Sequence, residues 1–125
     1  MKLILLPDEL AVARLDAAEP VPAWAEQRSL WSVTRTAEEL SVVCDASGVP
    51  PDVQAERGWR CFRVAGSLDF ALTGVLLAIL GPLAAAKISI FAISTYDTDY
   101  VLVRGRDLGA AARALTAAGH ELAEA

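Results

Sequence analysis

The stretch from Gly66 to Arg104 leaves the fewest options open. Its middle, Phe70 to Ala86, carries no charge, is flanked by Asp69 and Lys87, and contains Gly81-Pro82. Val75, Leu76, Ile79, Leu80 and Leu83 recur at helical spacing. After Lys87 the period changes. Ile88, Ile90 and Ala92, then Tyr100 and Leu102, alternate as strand residues do. Between the two strands the bend Ser94–Asp99 concentrates hydroxyls and two carboxylates. A helix followed by a polar hairpin implies a helix packed on a sheet. The uncharged run falls at the short edge of the roughly 20 residues that span a bilayer, so a core helix is expected and no membrane partner.

The rest of the chain supplies more strands. Lys2–Leu6 reads as a buried strand, because Pro7-Asp8-Glu9 ends the apolar run too early for a leader peptide. Leu10–Leu15 is expected to pair back on it. Glu19–Ala25 is a Pro-rich connection with room for one helical turn, pinned by Trp24. Leu30–Arg35 and Ser41–Cys44 read as strands around Thr36-Ala-Glu-Glu39, a capping box. Val49–Gly58 is expected to be the linker, which divides the chain into residues 1–57 and 58–125. Trp59–Val64 is a further strand. Leu108–Ala118 is a helix stopped by Gly119, and His120–Ala123 a short edge strand. The second half then has the order β-α-β-β-α-β, the ferredoxin-like α+β arrangement. The first half is a reduced copy with stunted helices. A helix that is apolar nearly all round would place one face on its own sheet and the other against a second unit or a second chain.

Composition removes several function classes. With 54% hydrophobic and 22% charged residues, the 125-residue chain can bury a core, in one average domain or two very small ones. A net charge of −5, with the arginines scattered, argues against a nucleic-acid partner. Cys44 and Cys61 sit in strand-like apolar contexts and are expected to be buried free thiols of a cytoplasmic protein. A disulfide between neighbouring strands remains open. No zinc ligand set is at hand, and His120 has no nucleophile or base beside it in sequence. The glycines spell no phosphate or dinucleotide loop. Asp97 and Asp99 are two residues apart on one turn, a poor arrangement for general acid/base work. No catalytic residue, metal or cofactor is therefore expected.

Three stretches in order, Trp31-Ser-Val-Thr-Arg-Thr-Ala-Glu-Glu-Leu-Ser-Val-Val-Cys-Asp45, Glu56-Arg-Gly-Trp-Arg-Cys-Phe-Arg-Val-Ala-Gly66 and Leu72 to Val103, resemble the ACT domains. More narrowly they resemble the ACT subgroup of small tandem-ACT bacterial proteins and of the cytosolic arginine sensors of animal cells. The likeness covers about Leu30 to His120. It implies a ferredoxin-like fold in tandem units and a non-enzymatic module that binds a small amino-acid effector. It also implies that the effector lies at an interface of two such units. The regulated protein would be a separate polypeptide, and a homodimer is expected. A domain that kept the fold for oligomerisation and lost the ligand is the alternative.

Carried over by motif, the effector residues are Gly66, Ser67, Asp69, Thr73 and Gly74 before the helix, and Ile93, Ser94, Thr95, Tyr96, Asp97 and Asp99 at the bend. The chemistry suits a zwitterion. Free N–H groups at a helix start favour a carboxylate, and an aspartate accepts hydrogen bonds from an ammonium or a cationic side chain. Ser32, Thr34 and Arg35 resemble the family's partner strand, with Arg35 expected to pair with an acidic neighbour.

Overall fold

The computed structural model describes residues 1–26, 30–66 and 73–125. In chain order its elements are β1 (Lys2–Leu5), β2 (Leu10–Leu15), β3 (Ser32–Arg35), β4 (Leu40–Asp45), β5 (Ala55–Val64), α1 (Val75–Ala85), β6 (Ile90–Ser94), β7 (Asp99–Arg104), α2 (Leu108–Ala117) and β8 (Glu121–Glu124). Single 3-10 turns occur at Ala23–Ala25, Ala46–Gly48 and Gly105–Asp107. Contacts divide the chain into two compact units, one formed by Asp8–Trp59 and one by Met1–Pro7 with Arg60–Ala125.

In the unit Asp8–Trp59 the strand order is β3-β4-β2-β5. β2 runs antiparallel to β4 from Leu10↔Asp45 to Leu15↔Leu40, and antiparallel to β5 at Ala55, Glu56 and Trp59 with a register shift between Leu10 and Val12. This is the ferredoxin-like order with each helix reduced to one 3-10 turn. Pro20 and Pro22 bar a regular helix in the first crossover. The second is a single turn opened by Asp45, whose Oδ1 accepts the Ser47 N–H at 2.8 Å. A thin helical layer needs small residues beneath it, and the core is Ala11, Ala13, Ala25 and Ala46 with Leu40, Val42, Cys44 and Val49. Trp24 packs against it, and a Cβ on Gly48 would stand 2.8 Å from the Trp24 carbonyl oxygen.

The other unit has the order β6-β7-β5-β1-β8. Its chain order from Arg60 is β-α-β-β-α-β, with α1 and α2 at full length. Leu3, Phe62, Val64, Ile79, Leu83, Val101, Val103, Ala111 and Leu115 are buried together. Each leucine side chain of this size contributes about 2 kcal/mol. Both helices end in the same way. Lys87 (φ +60°) donates to Ala84 O and Ile88 N–H reaches back to Leu83 O at 3.0 Å, while Gly119 (φ +96°) and His120 repeat the pattern on Thr116 and Leu115. α1 buries Ile79 and Leu83 and leaves Leu77 72% exposed.

Three sequence expectations need correction. β2 pairs with β4 and β5 rather than folding back on β1. Ala55–Gly58 is strand rather than linker, because its backbone completes the ladder with Val12 and Ala13. β1, expected in the first unit, lies in the unit of residues 60–125, antiparallel to β5 (Leu3↔Val64) and parallel to β8 (Leu3↔Leu122).

Candidate functional site

The bend between β6 and β7 is a tightly closed turn. The two strands pair from Ile90↔Val103 to Ser94↔Asp99. Beyond the last pair, Thr95 N–H donates to Thr98 O at 2.9 Å, the Thr95 hydroxyl donates to the same oxygen at 3.1 Å, and Thr98 N–H donates to Thr95 Oγ1 at 3.3 Å. Ser94 Oγ donates to Asp99 Oδ1 at 2.6 Å, which commits one oxygen of that carboxylate to the turn itself. Asp97 is exposed and makes no hydrogen bond or ion pair among the described residues. Tyr96 is 81% exposed. Ile93 is half-buried and faces Tyr100 across the ladder.

Thr98 is the residue that sequence reasoning passed over. Its side chain is buried, and its hydroxyl donates to the Val64 carbonyl at 2.8 Å. Val64 ends β5, two residues before Gly66. The bend is thus fastened to the strand from which the expected effector loop departs. In the sequence Thr98 is one more hydroxyl in a polar run, with nothing to set it apart from turn chemistry.

Gly66 (φ +83°) and Gly74 (φ +76°) stand at the two ends of this loop. A Cβ at either would meet nothing within 4 Å, so the left-handed backbone, not crowding, calls for glycine. Gly74 precedes α1 and offers no side-chain cap, and the first turn of the helix contains no acidic residue. The positive end of the helix dipole is therefore not neutralised within its own first turn. Thr73 is exposed beside it. Ser67 and Asp69 lie outside the described residues. Of the expected effector residues, the Ser94–Asp99 bend is fastened through Thr98 to Val64, two residues before Gly66.

The remaining candidates resolve as structural groups. Arg35 donates to the backbone carbonyls of Ala17 and Glu19, the latter at 2.8 Å, rather than pairing with an acid. Arg57 likewise holds the carbonyls of Ala46, Val49 and Pro50. Both cysteines are buried free thiols. Burial raises Cys44 to about 11, with Asp45 adding to the shift and Arg57 opposing it. Burial raises Cys61 to about 12, opposed by the Val101 backbone and Arg63. Neither is a reactive thiolate at neutral pH. Among the described residues no group of His, Cys, Asp and Glu could hold a metal, and no helix is long and apolar enough to cross a membrane.

The chain is similar throughout its length to a solved protein, Atu0741 from Agobacterium tumefaciens, at 43% identity and a TM-score of 0.94, covering 99% of this chain and 92% of that one. It is 34% identical over 88 residues to the Cytosolic arginine sensor for mTORC1 subunit 1 of Rattus norvegicus, covering 62% of this chain and 27% of the sensor. The chain spans between 27% and 56% of the curated relatives it matches. A Clostridium acetobutylicum aspartate kinase, described as an allosteric enzyme, shares the fold at 12% identity with a TM-score of 0.69, covering 93% of this chain and 34% of the kinase. A family model of an N-terminal domain matches residues 8–52. The model described as ACT domain matches residues 54–117, just over half of the chain, and the protein belongs to the ACT-domain family.

Proposed function

We propose that this chain is a non-enzymatic regulatory module that binds a free amino acid. The effector is held between the loop of Gly66, Ser67, Asp69, Thr73 and Gly74 and the bend of Ile93, Ser94, Thr95, Tyr96, Asp97 and Asp99. As the family resemblance implies, the site lies at an interface of ACT-like units, a homodimer supplies it, and the regulated protein is a separate chain. The observation that carries this reading is the Thr98 hydroxyl on the Val64 carbonyl, which fastens the acidic bend beside the start of the loop. The start of α1, with no acidic residue in its own first turn, suits the effector carboxylate. The Asp97 carboxylate, without a partner among the described residues, suits its ammonium or a cationic side chain. A cationic amino acid such as arginine suits the two aspartates, and aliphatic or polar amino acids remain candidates.

Thermal unfolding with each of the twenty amino acids tests this. At 100 times the dissociation constant the bound effector stabilises the fold by about 2.7 kcal/mol. At least one amino acid should raise Tm, and Asp97→Ala should abolish that rise while leaving the ligand-free Tm within a degree or two. No response to any of the twenty would favour a purely oligomerising domain.

A further inference from the structure

α1 contains Pro82 in its interior. Proline has no N–H, so the carbonyl four residues earlier, that of Ala78, loses its helical donor. The structure supplies another: His120 Nε2 lies 2.8 Å from Ala78 O. A carbonyl only accepts, so Nε2 carries the proton. Nδ1 then has the free lone pair, and it faces the Met1 amine at 3.3 Å. His120 is 8% exposed. Its backbone is fixed at the end of α2, where His120 N–H donates to Leu115 O at 3.0 Å behind the left-handed Gly119. The side chain therefore reaches from the α2–β8 corner into the gap that Pro82 opens in α1.

Ala78 has a second role. Its N–H donates to the Gly74 carbonyl at 2.9 Å and so closes the first turn of α1. One residue thus receives His120 on its carbonyl and holds Gly74 with its amide.

We propose that His120 is a positioning residue. It replaces the hydrogen bond that Pro82 deletes, and it makes the placement of the α1 start, including Gly74, depend on the α2–β8 corner. The hydrogen bond stands by itself, whereas its bearing on effector affinity rests on the proposed function above.

A double-mutant cycle tests the bond in the full chain without added ligand. With Pro82 present, His120→Phe should lower Tm by about 5 °C. In the Pro82→Ala background the residue at 82 has its own N–H for Ala78, and the same change should cost less than half as much. The contact with Met1 is lost in both backgrounds and cancels. Equal losses would overturn the proposal. Should His120→Phe fail to fold, the unsubstituted protein decides: nitrogen NMR should show the Nε2–H tautomer with a slowly exchanging proton. An Nδ1–H tautomer, or exchange at the solvent rate, would overturn it. With an amino acid that stabilises the parent, His120→Phe should weaken binding about fivefold and Pro82→Ala should restore it. Unchanged affinity would overturn the link to the site. If no amino acid binds, the ligand-free cycle still reads out, so the two ideas fail separately.

Discussion

The two hairpins of this chain are close relatives in chemistry and differ in support. The turn between β3 and β4 is Thr36-Ala-Glu-Glu39, and the turn between β6 and β7 is Thr95-Tyr-Asp-Thr98. In each, the first threonine N–H donates to the fourth carbonyl at 2.9 Å, and the first hydroxyl accepts a backbone N–H from the far side of the turn. The fourth position separates them. Glu39 is half-buried and its turn is tethered by Arg14, which donates to the Glu38 carbonyl at 3.0 Å. Thr98 is buried and reaches the end of β5. The same local recipe therefore makes a surface loop in one unit and a braced ledge in the other. Turn chemistry closes a hairpin, and one buried hydroxyl decides what it is attached to.

The comparison can be pressed from its largest expected effect downward. The interiors should behave alike where the turns do not. Each cysteine is raised in the fold above its unfolded value of 9, Cys44 to about 11 and Cys61 to about 12. Between those values the native state holds the proton and the unfolded chain does not. Stability is thus complete below pH 9 and falls above it, by roughly 1.4 kcal/mol per pH unit for each thiol. Urea unfolding from pH 7 to 11 checks this, and a flat profile would contradict it. Thiol labelling should reach Cys44 at lower pH than Cys61.

Next come the turns themselves. Thr98→Val keeps the shape but leaves the Val64 carbonyl without its donor, and should cost about 2 kcal/mol in urea unfolding. Thr36→Val removes an acceptor from two amides on an exposed turn and should cost about 1 kcal/mol or less. Equal costs would erase the distinction between the hairpins. Ser94→Ala, which breaks only the exposed bond to Asp99, should cost about 0.5 kcal/mol. It should also free that carboxylate, visible as a change in the Asp99 side-chain carboxyl chemical shift by NMR at neutral pH.

What the sequence revealed and what it hid divide along the range of the interactions. The β-α-β-β-α-β order from Arg60 onward was legible because Val75–Leu83 and Ile88–Leu102 have clean periods. The first half was legible as strands with stunted helices, with Pro20 and Pro22 barring a regular strand in the connection after Leu15. The partner of β1 was not, since pairing Leu3 with Val64 and Leu122 is a long-range choice that no local pattern records. Ala55–Gly58 resembled a linker because Gln54-Ala-Glu-Arg-Gly58 has no apolar alternation; its backbone, not its side chains, belongs to the ladder. At the candidate site, the glycines and the acidic bend could be named in advance. Thr98 and His120 could not, because each matters through one hydrogen bond to a carbonyl more than thirty residues away.

The place of β1 has a consequence for how the molecule is made. Asp8–Trp59 has every strand it needs once Trp59 has been synthesised. The segment Lys2–Leu5 emerges before all of it, yet its slot is bounded by β5 on one side and β8 on the other. On the ribosome this leading segment must therefore wait, unpaired on at least one edge, until Glu121–Glu124 arrives to close over it. Lys2–Leu5 and Glu121–Glu124 are made far apart in time and lie side by side in the finished sheet.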